Sequence, residues 1–217
     1  MAFKVEVWGD YACFTRPEMK VERVSYDVMT PSAARGLLEA IYWHPGLRWI
    51  VERIYVMNPI RFAHIRRNEV KSKISAHTAR TVIGGGHADL SLVASDDIVQ
   101  RAAMVLRDVR YVIEARFELV PEKMTTSDND GKFCDIIKRR LERGQCYHQP
   151  CFGTCEFPAN FKSWDGGTIS VSEDGERDLG FMLYDMDYSD SENITPMFFR
   201  AKLCDGILDV RDCEVFK

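Results

Sequence analysis

Alternating and helically spaced apolar residues in the first part of the chain predict a strand, a helix and further strand structure. Residues 3–9 alternate apolar with polar side chains, which is typical of a half-buried strand. A Thr-Pro pair at 30–31 supplies an N-cap followed by proline at the first helical position. Apolar residues then keep helical spacing up to Ile41, and a Pro-Gly pair at 45–46 ends the helix. Residues 48–61 are rich in β-branched and aromatic side chains and predict one long strand or two.

The hydrophobic pattern changes twice in the middle of the chain. Residues 61–83 show no sustained period and lead into three glycines at 84–86, so we predict an extended, mobile excursion. Residues 98–106 fit a helix or a strand. From Val109 to Val120 apolar residues alternate with polar ones, which predicts a strand.

Residues 131–146 predict a short amphipathic helix. Cap residues at 128–131 precede it, and Gly144 can supply the left-handed residue that ends it. Its apolar face comprises Phe133, Ile136, Ile137 and Leu141, interrupted by Arg140. A basic stripe on another face comprises Lys132, Arg139 and Arg143. The stripe has two interpretations at this stage, a surface that faces a nucleic acid or an ordinary solvated face.

The remaining residues predict loops and a small sheet. Residues 146–164 have the glycine, proline and aromatic content of a loop with short extended pieces, and residues 165–217 contain Asp-Gly turns between short apolar runs. The element order predicts an α+β, ferredoxin-like core followed by a β-rich tail. We therefore expect a first domain over 1–145, with an insertion at about 62–106, and a C-terminal loop and antiparallel β domain over 146–217.

Charge is distributed unevenly over the 217 residues. The net charge is −4, yet residues 165–217 hold 13 acidic and 5 basic side chains, so the cations concentrate in the first part. Six of them lie within residues 61–80, which contain a single acidic residue. Such a split has two interpretations, a polyanionic partner on one side or like-charged loops on an inert surface. The sequence contains no apolar run long enough for a membrane span and no signal peptide pattern at its start, so we expect a cytoplasmic protein without a membrane partner.

The seven cysteines suit free thiols in a reducing compartment better than a disulfide framework. Four residues near the end of the predicted helix offer one alternative, a zinc site formed by Cys146, His148, Cys151 and Cys155. Their spacing does not match the paired C-x-x-C knuckles of structural zinc sites. We therefore expect no metal.

Five motifs in chain order carry a family resemblance, and they are Gly9–Pro17, Glu39–Pro45, Asn58–Ile60, Leu106–Val109 and Gly131–Thr154. Together they resemble the Cas5 family of CRISPR-associated proteins, and specifically its type I-C member, Cas5c or Cas5d. The resemblance covers nearly the whole chain. It implies a ferredoxin-like (RRM-type) domain with a basic β-hairpin insertion, plus a small C-terminal β domain.

The resemblance also implies an activity and partners. Members of this subtype are metal-independent endoribonucleases that cut CRISPR precursor RNA at the base of the repeat hairpin and need no cofactor. They then remain on the 5′ handle of the guide RNA, beside the other subunits of the type I-C effector complex. Duplex DNA stays open as a further partner. The competing hypothesis is a non-catalytic subunit that only binds the 5′ handle.

The catalytic set of the subtype is a tyrosine at the end of the first helix and a Lys-His pair at the start of the second. In this chain the tyrosine is Tyr42 and the lysine is Lys132, but Phe133 stands where histidine is expected. His44 and His148 are the candidate substitutes. A second departure from the subtype is Cys155, at a position where arginine is expected.

Metal-free cleavage needs a base, an acid and stabilisation of the phosphorane. Lys132 suits the phosphorane and Tyr42 suits hydrogen bonding, while Trp43 is expected in the core. The candidate RNA contacts are the cations of the first loop, the insertion and the predicted helix. They comprise Arg16, Lys20, Arg23, Arg61, Arg66, Arg67, Lys71, Lys73, Arg139 and Arg143.

Overall fold

A computed structural model describes residues 2–19, 21–190 and 192–217. Lys20, a predicted RNA contact, lies outside the described residues. The helices are α1 Pro31–Ile41, α2 Ala76–Ile83 and α3 Asp130–Arg143. The strands are β1 Phe3–Ala12, β2 Arg23–Val24, β3 Leu47–Val56, β4 Phe62–Val70, β5 Ile98–Leu119, β6 Asn160–Ser163, β7 Glu176–Asp187, β8 Thr195–Cys204, β9 Ile207–Asp209 and β10 Val215–Phe216. None of the described helices is long and apolar enough to cross a membrane.

One sheet contains all ten of the strands within the described residues. Its main order is β10-β8-β9-β3-β5-β1-β6, while β2 and β4 pair with β5 and β7 pairs with β8. Every pairing is antiparallel except that of β2 with β5. The expected α+β class is therefore confirmed as a mixed fold dominated by a large antiparallel sheet with few helices.

Alternation along β1 and β5 directs one set of side chains into a core beneath α1 and α3. Val5, Val7 and Ile113 are completely buried there. Thr30 caps α1 as predicted, since its hydroxyl accepts a hydrogen bond of 3.2 Å from the backbone N–H of Ala33. The core thus fixes the end of α1 and the start of α3 above the same sheet.

Residues 61–83, for which the sequence predicts an extended excursion without regular elements, contain a strand and a helix. Residues 62–70 form β4, which pairs with the first part of β5 from Phe62 opposite Leu106 to Val70 opposite Ile98. Side chains along β4 alternate between half-buried and exposed, a weak form of the strand pattern. The helix α2 follows at the hairpin tip, and none of its residues is buried. The ambiguous residues 98–106 are strand, because they lie between β4 and β2.

The α3 helix begins and ends where the sequence predicts. The Asn129 side chain caps its first turn, and Gly144 adopts the left-handed conformation with a φ of 62°. The predicted Asp-Gly turn at 205–206 connects β8 to β9, with φ values of 46° and 68°. The strand β6 pairs with β1 and β9 pairs with β3, so the sheet continues beyond residue 145. The division into two domains stays a prediction.

Candidate active site

Tyr42 lies at the C-cap of α1 with its backbone held on both sides. Its N–H donates to the Leu38 carbonyl and its own carbonyl accepts from the Trp49 indole, at 2.9 and 3.0 Å. The side chain is 6% exposed. Burial raises the pKa of the Tyr42 phenol above its usual value, although the nearby cations Arg140 and Lys132 oppose that shift. The phenol is therefore protonated at neutral pH, so it can donate a hydrogen bond but is a poor base.

Arg140 fixes the ring of Tyr42 from α3. Its guanidinium lies 5.0 Å from the centre of the Tyr42 ring and donates a hydrogen bond to the Ile41 carbonyl at the end of α1. In the sequence this arginine only interrupts an apolar face. The structure shows why it is there, because it joins the end of α1 to the last turn of α3.

Lys132 lies in the first turn of α3 and reaches back to the loop before the helix. Its ammonium is 2.7 Å from Oδ1 of Asp128 and 3.3 Å from the Ser127 hydroxyl. The side chain remains 40% exposed. An ammonium has three N–H donors, so one is left for a ligand in solvent.

Asp128 is the acceptor at the centre of this group. Its side chain is 1% exposed, and Oδ2 accepts hydrogen bonds of 2.8 Å from both the N–H and the hydroxyl of Thr125. The hydrogen bond from Lys132, followed by those from Thr125, holds the pKa of the carboxyl far below its usual range. Asp128 is therefore ionised. In the sequence Asp128 stands out only as one of several cap residues, although its spacing of four from Lys132 is a detectable ion-pair signal.

His44 approaches the same carboxylate from the loop after α1. Its Nε2 lies 3.7 Å from Oδ2 of Asp128, and its Nδ1 accepts a hydrogen bond of 3.0 Å from the Gly46 N–H. Because Nδ1 is the acceptor, the proton of the neutral ring resides on Nε2. His44 is thus oriented as a hydrogen-bond donor.

Phe133 occupies the position where the family resemblance leads us to expect histidine. The ring is 0% exposed and lies 4.9 Å from the His44 ring and 6.2 Å from the rings of Tyr42 and Phe117. It is a core residue that supports the site from below. The imidazole of His44 is its immediate neighbour.

His148 lies at the same end of α1 but makes no contact with Asp128. Its backbone N–H donates to the Ala40 carbonyl at 3.0 Å, which fixes the start of the loop after α3 against α1. The ring is exposed and packs 4.3 Å from the Tyr147 ring. The structure therefore gathers Tyr42, His44 and Lys132, with His148 nearby at the surface.

Trp43 is exposed, although the sequence predicts that it lies in the core. The side chain is 56% exposed. The chain becomes extended at Tyr42, with φ −148° and ψ 117°, so successive side chains point in opposite directions. Tyr42 turns inward and Trp43 turns outward, beside the candidate site.

The predicted RNA contacts fall into two groups in the described part of the chain. Exposed side chains without an ion pair to another described residue are those of Arg66, Lys71, Lys73, Arg139 and Arg143. Paired ones are Arg16 with Asp27, Arg23 with Glu69, Arg61 with Asp108, and Arg67 with Glu156. The first group lies on the β4–β5 hairpin and on α3.

The zinc alternative finds no support in the geometry of the described residues. No three His, Cys, Asp or Glu side chains in residues 2–19, 21–190 and 192–217 are arranged to hold a metal ion. The four residues of the sequence hypothesis are therefore not gathered into a site. Cys155 is exposed, and its neighbour Glu156 pairs with Arg67 of β4.

Comparison with known proteins identifies the family. Residues 2–211 match the model of the CRISPR-associated protein family Cas5, in its Cas5d form. A relative from Mannheimia succiniciproducens, named CRISPR pre-crRNA endoribonuclease Cas5d, is 50% identical over 95% of this chain and 93% of its own. A protein of the same name from Thermus thermophilus is 40% identical over 95% of this chain and 90% of its own.

A solved structure of a CRISPR-associated protein has the same fold, with a TM-score of 0.72 over 100% of this chain and 97% of the other, at 21% identity. The resemblance found in the sequence is confirmed by the family match and by both relatives. The chain belongs to the Cas5d family of CRISPR-associated proteins.

Proposed function

We propose that this protein is a metal-independent endoribonuclease that cuts CRISPR precursor RNA at the base of the repeat hairpin. The observation that carries the proposal is the convergence of Tyr42, His44 and Lys132 where α1 ends and α3 begins. The names of the two relatives support RNA cleavage as the reaction. After cleavage the protein keeps the 5′ handle as a subunit of the type I-C effector complex, in the cytoplasm.

The reaction is an attack of the RNA 2′-hydroxyl on the adjacent phosphorus. The 2′-oxygen loses its proton and bonds to phosphorus, the bond to the 5′-oxygen breaks, and that oxygen takes up a proton, leaving a 2′,3′-cyclic phosphate. Lys132 offsets the charge of the phosphorane, and the Tyr42 phenol donates to a phosphate oxygen. His44 donates a hydrogen bond to the RNA through Nε2. His148, whose ring is exposed, accepts the proton from the 2′-oxygen and donates a proton to the 5′-oxygen.

RNA binding is assigned to the free cations of the hairpin and α3. Arg66, Lys71 and Lys73 lie along the β4–β5 hairpin, and Arg139 and Arg143 lie on the exposed face of α3. Cations without a carboxylate partner can contact phosphates without first losing an ion pair. Trp43 supplies an exposed ring for stacking on an unpaired base. Duplex DNA, if bound, would use the same cations.

The proposal includes a ferredoxin-like core formed by β1, α1, β3, β5, α3 and β6. Their order in the sheet, β3-β5-β1-β6, and their antiparallel pairing support that assignment. The predicted division at residues 145 and 146 then separates most of the core from the tail. The strand β6 would belong to the core.

A non-catalytic 5′-handle-binding subunit is the second candidate, and Phe133 is the observation that favours it. The two candidates are separated by incubating the purified protein with its cognate repeat RNA in EDTA. Specific cleavage with a cyclic phosphate end supports the enzyme. Tight binding of intact RNA supports the second candidate and contradicts the first.

A further inference from the structure

Asp128 joins three parts of the candidate site through one buried carboxylate. Its Oδ2 is occupied by Thr125, two residues before Ser127 in the same turn, and its Oδ1 faces Lys132 at 2.7 Å. The imidazole Nε2 of His44 lies 3.7 Å from Oδ2. The Thr125 bonds close a local turn, whereas the contact with Lys132 and the approach of His44 involve groups that face the site.

The contact with Lys132 restricts where the ammonium can lie. A free lysine side chain has rotamer entropy that must be given up when the ammonium meets a phosphate. Asp128 has already fixed the ammonium near the start of α3, while the side chain stays 40% exposed. One N–H is used by the carboxylate and another approaches Ser127 at 3.3 Å. The third is available to the substrate.

The proximity of His44 to Asp128 affects the orientation of the imidazole ring. The Gly46 N–H holds Nδ1 as an acceptor, so the Nε2 proton points toward the Asp128 side of the ring. The Phe133 ring packs 4.9 Å from the His44 ring. A carboxylate in this position favours the donor orientation of Nε2 by charge, at a separation slightly longer than a hydrogen bond.

We propose that Asp128 is a positioning residue for RNA cleavage, which holds the Lys132 ammonium where it can meet a phosphate. The inference rests on the proposed function. It assigns no contact between Asp128 and RNA, because the carboxylate is buried and would repel a phosphate. Its effect passes through Lys132, so the effects of the two residues should not be additive.

The test is a double-mutant cycle on the full chain, with single-turnover cleavage of the cognate repeat RNA at saturating protein. Asp128→Asn keeps the shape and an oxygen for Thr125 but removes the charge that holds Lys132. We expect a loss of about 100-fold in rate with RNA affinity unchanged, as expected for misplaced catalytic groups. In the Lys132→Ala background the same change should cost less than about 3-fold. Equal losses in both backgrounds would overturn the inference.

Asp187→Asn is the matched control. Asp187 likewise accepts from a lysine, Lys217, at 2.6 Å and from a backbone N–H, but it lies at the end of β7. It should leave cleavage unchanged. If thermal unfolding shows that Asp128→Asn does not fold, Asp128→Glu replaces it, because it keeps the charge. Its cleavage rates with and without Lys132→Ala then measure the coupling between positions 128 and 132.

The outcomes distinguish a failure of the proposed function from a failure of the role assigned to Asp128. Unmodified protein that does not cut the RNA overturns the proposed function and this inference with it. Unmodified protein that cuts normally, with Asp128→Asn equally fast, overturns this inference alone.

Discussion

At the scale of single residues, Phe133 and its neighbours decide what chemistry the site retains. The resemblance predicts an imidazole at position 133, and the structure has a fully buried phenyl ring there. The nearest imidazole belongs to His44, whose ring lies 4.9 Å away and projects from a different element. The family role of that histidine is therefore not restored at the same backbone position.

Phe133→His should not increase the rate of RNA cleavage. The new imidazole would lie at a fully buried position, packed against the rings of Tyr42, His44 and Phe117. Burying it should lower the free energy of unfolding by about 1–3 kcal/mol, measured by urea unfolding. Phe133→Leu, which stays apolar, serves as the control for lost volume. Faster cleavage by the histidine variant would contradict this description of the site.

At the scale of elements, we expect the β4–β5 hairpin and α3 to have different roles. The hairpin extends from the sheet as two paired strands with an exposed helix, α2, at its tip. Its free cations face solvent, whereas α3 buries Phe133, Ile137 and Leu141 and directs Arg139 and Arg143 outward. We expect the hairpin to contribute affinity and α3 to contribute both affinity and chemistry.

Removing three hairpin cations should reduce the salt dependence of RNA binding. The triple variant Arg66→Ala, Lys71→Ala, Lys73→Ala removes cations that have no ion-pair partner among the described residues. The slope of log affinity against log salt should become shallower by about 0.7 for each phosphate that the variant no longer neutralises, measured by filter binding or fluorescence anisotropy. Arg200→Ala with Lys202→Ala is the control, since both are paired to acids of β7. An unchanged slope in the triple variant would exclude the hairpin as a phosphate-binding arm.

The elements also show what a sequence can reveal and why the remainder escapes it. The limits of α1 and α3 were predictable because Thr30, Pro31 and Gly144 act locally, through caps and backbone conformation. The helix α2 was missed because it is only eight residues long and lies in a segment that shows no sustained period as a whole. Asp128 was recognised only as a cap residue, because its approach to His44 spans two elements that are distant in sequence.

At the scale of the whole molecule, one sheet connects the candidate site to the C-terminal strands. The pairing of β9 with β3 continues the sheet into β8, β7 and β10. Ion pairs on this side are numerous, and one of them ties Lys217 to Asp187 at the end of β7. Among the described residues, ion pairs hold six of the 13 acidic side chains of residues 165–217, so this part of the chain keeps its acidic balance, and the free cations lie on the hairpin and α3.

The Asp187–Lys217 pair should give the fold a component of acid sensitivity. Hydrogen bonding from Lys217, then from Ser189, lowers the pKa of Asp187 from 3.8 to about 2. A lowered folded-state pKa means that the stabilisation is present above pH 3.8 and is lost as the pH falls toward about 2. The difference in thermal midpoint between the unmodified chain and Asp187→Asn should therefore shrink across that window. A difference that stays constant from pH 7 to pH 2.5 would contradict the assignment.

The central claim is that Lys132, held at the start of α3, stabilises the transition state of RNA cleavage. The most direct measurement is the single-turnover cleavage rate of cognate repeat RNA in EDTA for Lys132→Ala, beside Lys138→Ala, an exposed lysine on the same helix. We predict a loss of about 100- to 1,000-fold for Lys132→Ala, by analogy with the removal of one oxyanion-stabilising donor, and no loss for Lys138→Ala. Equal rates for the two variants would contradict the account.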